Sequence, residues 1–466
     1  MQLEITVNVD RMDNKKATLE LGTKPVGRLL LQYALPAIVA MTASSLYNMV
    51  DSIFIGQGVG ALAISGLAIT FPFMNLSAAF GAAVGVGSST LISVRLGQKD
   101  YSTANNVFGN CVTLNILIGI VFAAITLTFL DPILLFFGAS ELTLPYARDY
   151  MQIILAGNMF THLYFGMNAL LRSASKPRMA MAATVFTVIF NTVLDPLFIF
   201  VFHMGIRGAA IATVLAQFTA LCWQCHMFSN KNEIIHFERG IYRLKSELVK
   251  RIVGIGMSPF FMNVTACMIV IIVNKSLSRY GGDLAVGAYG IVNRVSFLFF
   301  MVVFGINQGM QPIAGYNYGA MHYDRLMKVL RYAMIAATFM TTMGWLVSEF
   351  IPYYCARLFT SDTTLIGLAE HGLRIANLTL PVVGMQMVIT NFFQSIGKAK
   401  VSIFLSLSRQ LLFLLPVLLI LPPFLGLEGV WYSFPVSDFI AFVVTFIIMM
   451  RYMRKFKTQP QLSNHD

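Results

Sequence analysis

Residues 27–55 read GRLLLQYALPAIVAMTASSLYNMVDSIFI, an apolar run holding two residues that a lipid interior disfavours, Pro36 and Asp51. From Leu29 to Ile55 the run exceeds the roughly 20 residues that a helix needs to cross a bilayer at about 1.5 Å each. Pro36 has no N–H to give the carbonyl of Gln32, so the helix is expected to bend there. A carboxylate in hydrocarbon costs at least ~2.5–3.5 kcal/mol, so Asp51 should face a bundle interior or a water-filled cavity, or else snorkel from a helix end. Tyr47, one turn earlier, shares its face and can offer a phenol to the same cavity.

The remainder of the chain repeats this character. Of 466 residues, 57% are hydrophobic and 12% charged, with a mean hydropathy of +0.70; soluble proteins run near 45–50% and 25%. An all-α integral membrane protein follows, with twelve transmembrane helices near 27–56, 61–95, 103–130, 143–171, 178–203, 207–228, 247–277, 284–318, 326–350, 366–396, 400–421 and 427–450. The net charge of +12 could suggest nucleic acid, but 25 of the 33 Lys and Arg fall on alternate connections, from the N-terminal tail through Lys231–Arg251 to Arg451–Lys457. That is the positive-inside pattern, so both termini are expected in the cytoplasm and no nucleic-acid partner is expected. The first 24 residues lack the apolar core of a signal peptide, and the first span is expected to direct insertion. The five cysteines lie mostly within apolar spans and read as small hydrophobes. Cys222-Trp-Gln-Cys225-His226 ends a membrane helix and has no second ligand pair at zinc-finger spacing.

The chain is a duplication. At an offset of about 222 residues Ala61-Leu-Ala-Ile falls on Asp283-Leu-Ala-Val, Leu96-Gly-Gln-Lys-Asp-Tyr101 on Tyr318-Gly-Ala-Met-His-Tyr323, and Leu171-Arg-Ser-Ala-Ser-Lys176 on Phe393-Gln-Ser-Ile-Gly-Lys398. With a one-residue slip Pro36 falls on Pro259. The expected divisions are a cytoplasmic tail 1–26, a first lobe 27–228, a cytoplasmic linker 229–246 with a surface helix, a second lobe 247–450 and a cytoplasmic tail 451–466. Six spans per half make the repeats parallel, related by a pseudo-two-fold axis along the membrane normal, an arrangement that builds transporters.

Positions that match between the halves serve architecture; those that differ mark chemistry. Asp51 falls opposite Asn274, Asp195 opposite Leu415 and Asn191 opposite Leu411. Asp51, Asp195 and Thr213 each lie roughly 9–12 Å below the outer end of their helix and can share one layer, Asn191 lies four residues from Asp195 on the same face, and Tyr47 and Asn168 stand behind them. Two carboxylates in a low-dielectric cavity cannot cheaply both be charged, so the pair should hold a proton or a bound cation. The plain alternative is an Asp–Asn hydrogen-bonded staple with no part in transport.

These residues resemble the multidrug and toxic compound extrusion (MATE) transporters, and among them the DNA-damage-inducible-protein-F branch. The resemblance spans the chain and rests on Leu35-Pro36 with Asp51, Gly85-Val-Gly-Ser-Ser-Thr-Leu-Ile-Ser-Val-Arg-Leu-Gly97, Asn168-Ala-Leu-Leu-Arg172, Asn191-Thr-Val-Leu-Asp-Pro196 and Gly208-Ala-Ala-Ile-Ala-Thr213. It implies two six-helix lobes of the MATE fold, within the MOP flippase superfamily, and efflux of organic cations by alternating access against an inward H+ or Na+ gradient. By it, Asp51, Asn191, Asp195 and Thr213 form the coupling site and a possible sodium site. Pro36 is a helix hinge that responds to Asp51, and Tyr47 and Asn168 line the drug cavity. The expected partners are amphiphilic or cationic drugs and membrane lipid. The expected setting is the bacterial inner membrane, as a monomer, with no cofactor besides the coupling ion. One departure stands out: the loop after Arg172 reads Ser-Ala-Ser-Lys-Pro, without the glycine expected there.

Three other classes fit less well. A flippase for a lipid-linked oligosaccharide, of the same superfamily, would need clustered cations in the cavity, and Arg294 and Arg409 alone could contribute. Both need acceptors, for which Asp438, Gln308 and Gln311 are candidates. An enzyme is not expected, since His162, His203 and His371 accompany no metal or nucleophile motif. A channel could use the same acids, but duplicated lobes and bent helices favour alternating access.

Overall fold

The computed structural model describes residues 18–458. The parts of the expected cytoplasmic tails at residues 1–17 and 459–466 lie outside those described. Residues 18–23 are helical, followed by α1 (Val26–Gly58), α2 (Ala61–Gly97), α3 (Tyr101–Thr128), α4 (Leu130–Phe136), α5 (Leu144–Ala156), α6 (Asn158–Ser173), α7 (Pro177–Pro196) and α8 (Gly205–Phe228). The second half holds α9 (Ser246–Gly319), α10 (Tyr323–Phe350), α11 (Pro352–Arg357), α12 (Thr363–Ala376), α13 (Leu380–Ser395), α14 (Ala399–Leu407), α15 (Leu415–Ile420), α16 (Pro422–Leu425) and α17 (Leu427–Thr458). Single π-helical stretches, Leu197–Val201 and Ser408–Leu414, adjoin α7 and α15. Among the described residues there is no β-strand.

Eight helices of the described residues are long and apolar enough to cross a membrane, nine when α12 and α13, bent by 56°, count as one span. The 74-residue α9 is divided at Gly282, whose φ of 70° and ψ of −171° are not helical. The remaining expected spans, near 143–171 and 326–350, are also helical, as α5 with α6 and as α10, but do not meet that test. The last helix runs on to Thr458, so the tail expected from residue 451 begins as helix.

The duplication is written in the backbone. Left-handed residues recur about 222 positions apart: Gly60 and Gly282, Lys99 and Met321, and Ser175 and Gly397. The glycine missing from the loop after Arg172 is therefore replaced by a serine that adopts the glycine conformation, with φ of 63°. The two cores match as well. Ile55, Ala63, Ala147 and Met151 are buried in one, and Leu277, Ala285, Ala369 and Leu373 are buried in the other.

The chain forms two compact units, one of Val39–Phe260 with the described residues up to Lys24, the other of Pro25–Ile38 with the chain from Phe261 onward. The first part of α1 thus belongs with the second half, and the first part of α9 with the first. Glycines make both arrangements possible by letting backbones approach. A Cβ on Gly309 would lie 2.5 Å from the Ala34 backbone, and one on Gly87 would lie 2.1 Å from the Ile252 carbonyl oxygen. Gly87 and Gly309 are themselves repeat partners.

The linker departs from expectation, because no helix lies between residues 229 and 245. It is a strap tied to α3 by side-chain amides. Asn110 Nδ2 donates to the carbonyls of Ile241 (3.3 Å) and Arg243 (3.2 Å), and its Oδ1 accepts from the Lys245 N–H at 2.9 Å. Asn105 binds Glu238 and the His236 N–H, at 3.0 and 3.2 Å. These bonds satisfy backbone groups that helix formation would otherwise have paired.

Candidate functional site

Four helices of the first unit converge on one buried polar cluster. α7 supplies Asn191 and Asp195, four residues apart and so on one face; both are buried, Asp195 completely. Just beyond them Pro196 withholds an N–H and the backbone passes into the π-helix Leu197–Val201, a distortion often found at functional sites. α1 supplies Asp51, 6% exposed, and Tyr47; α8 supplies Thr213.

The hydrogen bonds have a direction. Tyr47 and Thr213 hydroxyls are 3.0 Å apart. With the Asn191 amide oriented to satisfy both its ends, its nitrogen donates to Asp195 Oδ2 at 2.8 Å. Its oxygen accepts from the Thr213 N–H (3.0 Å) and hydroxyl (3.3 Å). Thr213 has one hydroxyl proton, which goes to Asn191, so the Tyr47 phenol donates to Thr213. Donors therefore run from Tyr47 through Thr213 and Asn191 toward Asp195. On its other side the Asp195 carboxyl lies within hydrogen-bonding reach of that of Asp51. Asp51 Oδ1 and Asp195 Oδ1 are both buried without a hydrogen-bond partner. Two carboxyls in contact need a proton or a cation between them. The two partnerless acceptors, Asp51 Oδ1 and Asp195 Oδ1, are both oxygen, a chemistry that suits a proton or a hard cation.

Tyr47, Asp51, Asn191, Asp195 and Thr213 are thus brought together. Asn168 is not among them. Its nitrogen donates to the Ala180 carbonyl (3.0 Å) and Thr184 hydroxyl (3.1 Å), and its oxygen accepts from Arg172, so it ties α6 to α7. Pro36 lies in the second unit, buried, and α1 continues through it. A residue that sequence reasoning passed over joins the cluster: Tyr150 of α5, 2% exposed, whose hydroxyl reaches Thr213. In the second half Arg409 meets Asp438, Nε to Oδ1 at 2.8 Å, one of the three acceptors left open for the two arginines. Arg294 lies over the Phe359 ring, 5.9 Å from its centre.

Fold and site together define a multi-pass membrane protein, built by duplication, whose buried acids among the described residues, Asp51 and Asp195, both lie in the first repeat. The chain belongs to the MatE family, whose profile matches residues 36–197 and again 259–420, each match opening on one of the paired prolines. It is 27% identical to the multidrug export protein MepA of Staphylococcus haemolyticus, over 90% of this chain and 93% of that protein. It is 36% identical to the MATE multidrug transporter DinF-BH, with a TM-score of 0.86 over 94% of this chain and 98% of that one. An outward-facing MATE family transporter of the MOP superfamily shares the fold at a TM-score of 0.89 and 23% identity, over 95% and 99% of the two chains.

Proposed function

We propose that this protein exports amphiphilic organic cations by antiport, exchanging drug for protons or sodium ions through alternating access, with Asp51 and Asp195 as the coupling pair. The observation that carries this reading is the pair of buried, donorless Oδ1 atoms on adjoining carboxyls, a site whose negative charge is unbalanced until a cation joins it. Asn191, Thr213, Tyr47 and Tyr150 orient and solvate that pair. The likeness to the multidrug export protein MepA and the multidrug transporter DinF-BH supports the drug-export part. The charge distribution supports a bacterial inner-membrane setting with both termini in the cytoplasm. The protein acts as a monomer with no cofactor beyond the coupling ion. Pro36, on the helix that carries Asp51, is where α1 changes shape when the pair changes charge.

An oligosaccharide flippase would use unpaired cations to hold a pyrophosphate. The Asp438 carboxylate neutralises one of the two candidates, Arg409, which favours the antiporter. The test is accumulation of a fluorescent lipophilic cation by proteoliposomes under an imposed pH gradient and, separately, a sodium gradient. Transport under either supports the proposal and names the ion. Transport under neither refutes it.

A further inference from the structure

We infer that the second unit carries a seat for one anionic membrane phospholipid, between the start of α14 and the end of α17. A cavity of about 300 Å³ lies there, lined by Lys400, Val401, Phe404, Ile448, Arg451 and Tyr452. Its chemistry is that of a lipid headgroup seat, with two cations from different helices above an apolar wall. Among the described residues neither Lys400 nor Arg451 makes an ion pair. Val401 and Ile448 are half-buried and Phe404 is 45% exposed, which provides a wall for an acyl chain. The Tyr452 ring is held in place edge-on against Phe393, with centres 4.9 Å apart.

Two further features point to a phosphate. Lys400 stands in the first turn of α14, where the helix dipole disfavours a cation, so it is not there for the helix. The N-cap of that helix, Lys398, makes no side-chain capping bond, and the first N–H groups of α14 remain available to an anion. Arg451 opens the run Arg451, Arg454, Lys455 and Lys457, a basic cluster directly after a membrane helix of the kind that attracts anionic lipids. The phosphodiester binds between Lys400 and Arg451, and one acyl chain lies along Phe404 and Ile448. The first half keeps the repeat partner of Lys400, Arg178, but has Ser229 where the second half has Arg451, so the seat belongs to the second half alone.

The test is native mass spectrometry of the full chain in detergent, titrated with phosphatidylglycerol or with phosphatidylcholine of the same acyl chains. One tightly held phosphatidylglycerol is expected, bound in preference to phosphatidylcholine. At about 1 kcal/mol per cation near the headgroup, Lys400→Gln and Arg451→Gln each weaken it roughly fivefold and the pair about thirtyfold. Lys400→Arg keeps the affinity and Arg178→Gln leaves it unchanged. The unfolding midpoint without added lipid stays at the wild-type value in each variant. The proposal is overturned if the two lipids bind alike, if the double variant binds as wild type, or if Arg178→Gln weakens binding as much. Displacement of the lipid by glycerol phosphate would also overturn it, by reducing the seat to a small-anion site.

Discussion

Asp51→Asn separates coupling from folding, because the two readings of the acid pair give it opposite effects on stability. In the native protein Asp51 Oδ1 and Asp195 Oδ1 are buried and donorless. An amide of the same shape at position 51 brings an N–H into that contact. A buried polar group without a partner costs about 1–3 kcal/mol, and a hydrogen bond to a charged acceptor is worth about 1.5–3 kcal/mol. The variant should therefore unfold later than wild type, by the equivalent of roughly 1–3 kcal/mol, whenever neither proton nor sodium is abundant. Coupling should fall at the same time. One proton moving down a gradient of one pH unit supplies about 1.36 kcal/mol, enough for about tenfold accumulation of drug. With the amide in place the pair no longer changes charge through the cycle, and accumulation should vanish while drug binding persists. Thermal unfolding in detergent and accumulation in proteoliposomes, measured on one preparation, read both quantities. A variant that is destabilised as well as inactive would make Asp51 a fold support. A variant that is stable and still accumulates drug as wild type does would remove it from coupling.

Other substitutions test the frame around the site. Ser175 holds a left-handed conformation that costs a non-glycine residue roughly 1–2 kcal/mol, so Ser175→Gly should raise the unfolding midpoint and Gly397→Ser should lower it. Gly309→Leu should sharply reduce the yield of folded, monodisperse protein, since its Cβ alone would sit 2.5 Å from the Ala34 backbone. Gly254→Ala, with nothing within 4 Å, should be silent in the same assay. Arg409→Met should cost about 1–2 kcal/mol by leaving the half-buried Asp438 unpaired, and adding Asp438→Leu should recover most of that loss in thermal unfolding.

Much of this was legible because membranes punish exceptions. A polar side chain in an apolar run must have a reason, and that alone singled out Asp51, Asn191, Asp195 and Thr213, which the fold brings together. The same logic could not tell a site residue from a helix tie, since both satisfy a buried amide. Asn168 makes such a tie, to Arg172, Ala180 and Thr184. Tyr150 left no mark, because a tyrosine in a membrane helix looks like packing until tertiary structure sets its hydroxyl against Thr213. The strap after α8 was illegible for a different reason. Its order comes from the side chains of Asn105 and Asn110 reaching about 130 residues along the chain to unpaired backbone groups, and such bonds impose no period on the strap's own sequence.

The duplication kept its geometry and gave up half of its chemistry, and the charges explain why one half suffices. In the second unit the half-buried acid Asp438 meets Arg409, so that pair is already balanced. In the first, Asp51 meets another acid, and only a cation from outside the protein can balance the contact. The helix that feels this imbalance belongs to both units. α1 passes from the second unit into the first between Ile38 and Val39, two residues after Pro36, and α9 makes the reverse passage between Phe260 and Phe261, just after Pro259. A proline near each passage weakens the helix there, since Pro36 and Pro259 each lack the N–H for one i to i−4 bond. A change of charge at Asp51 therefore acts on a helix whose other end is packed into the second unit, beside Gly305 and Gly309. Under the proposed antiport, a second acid site is therefore unnecessary.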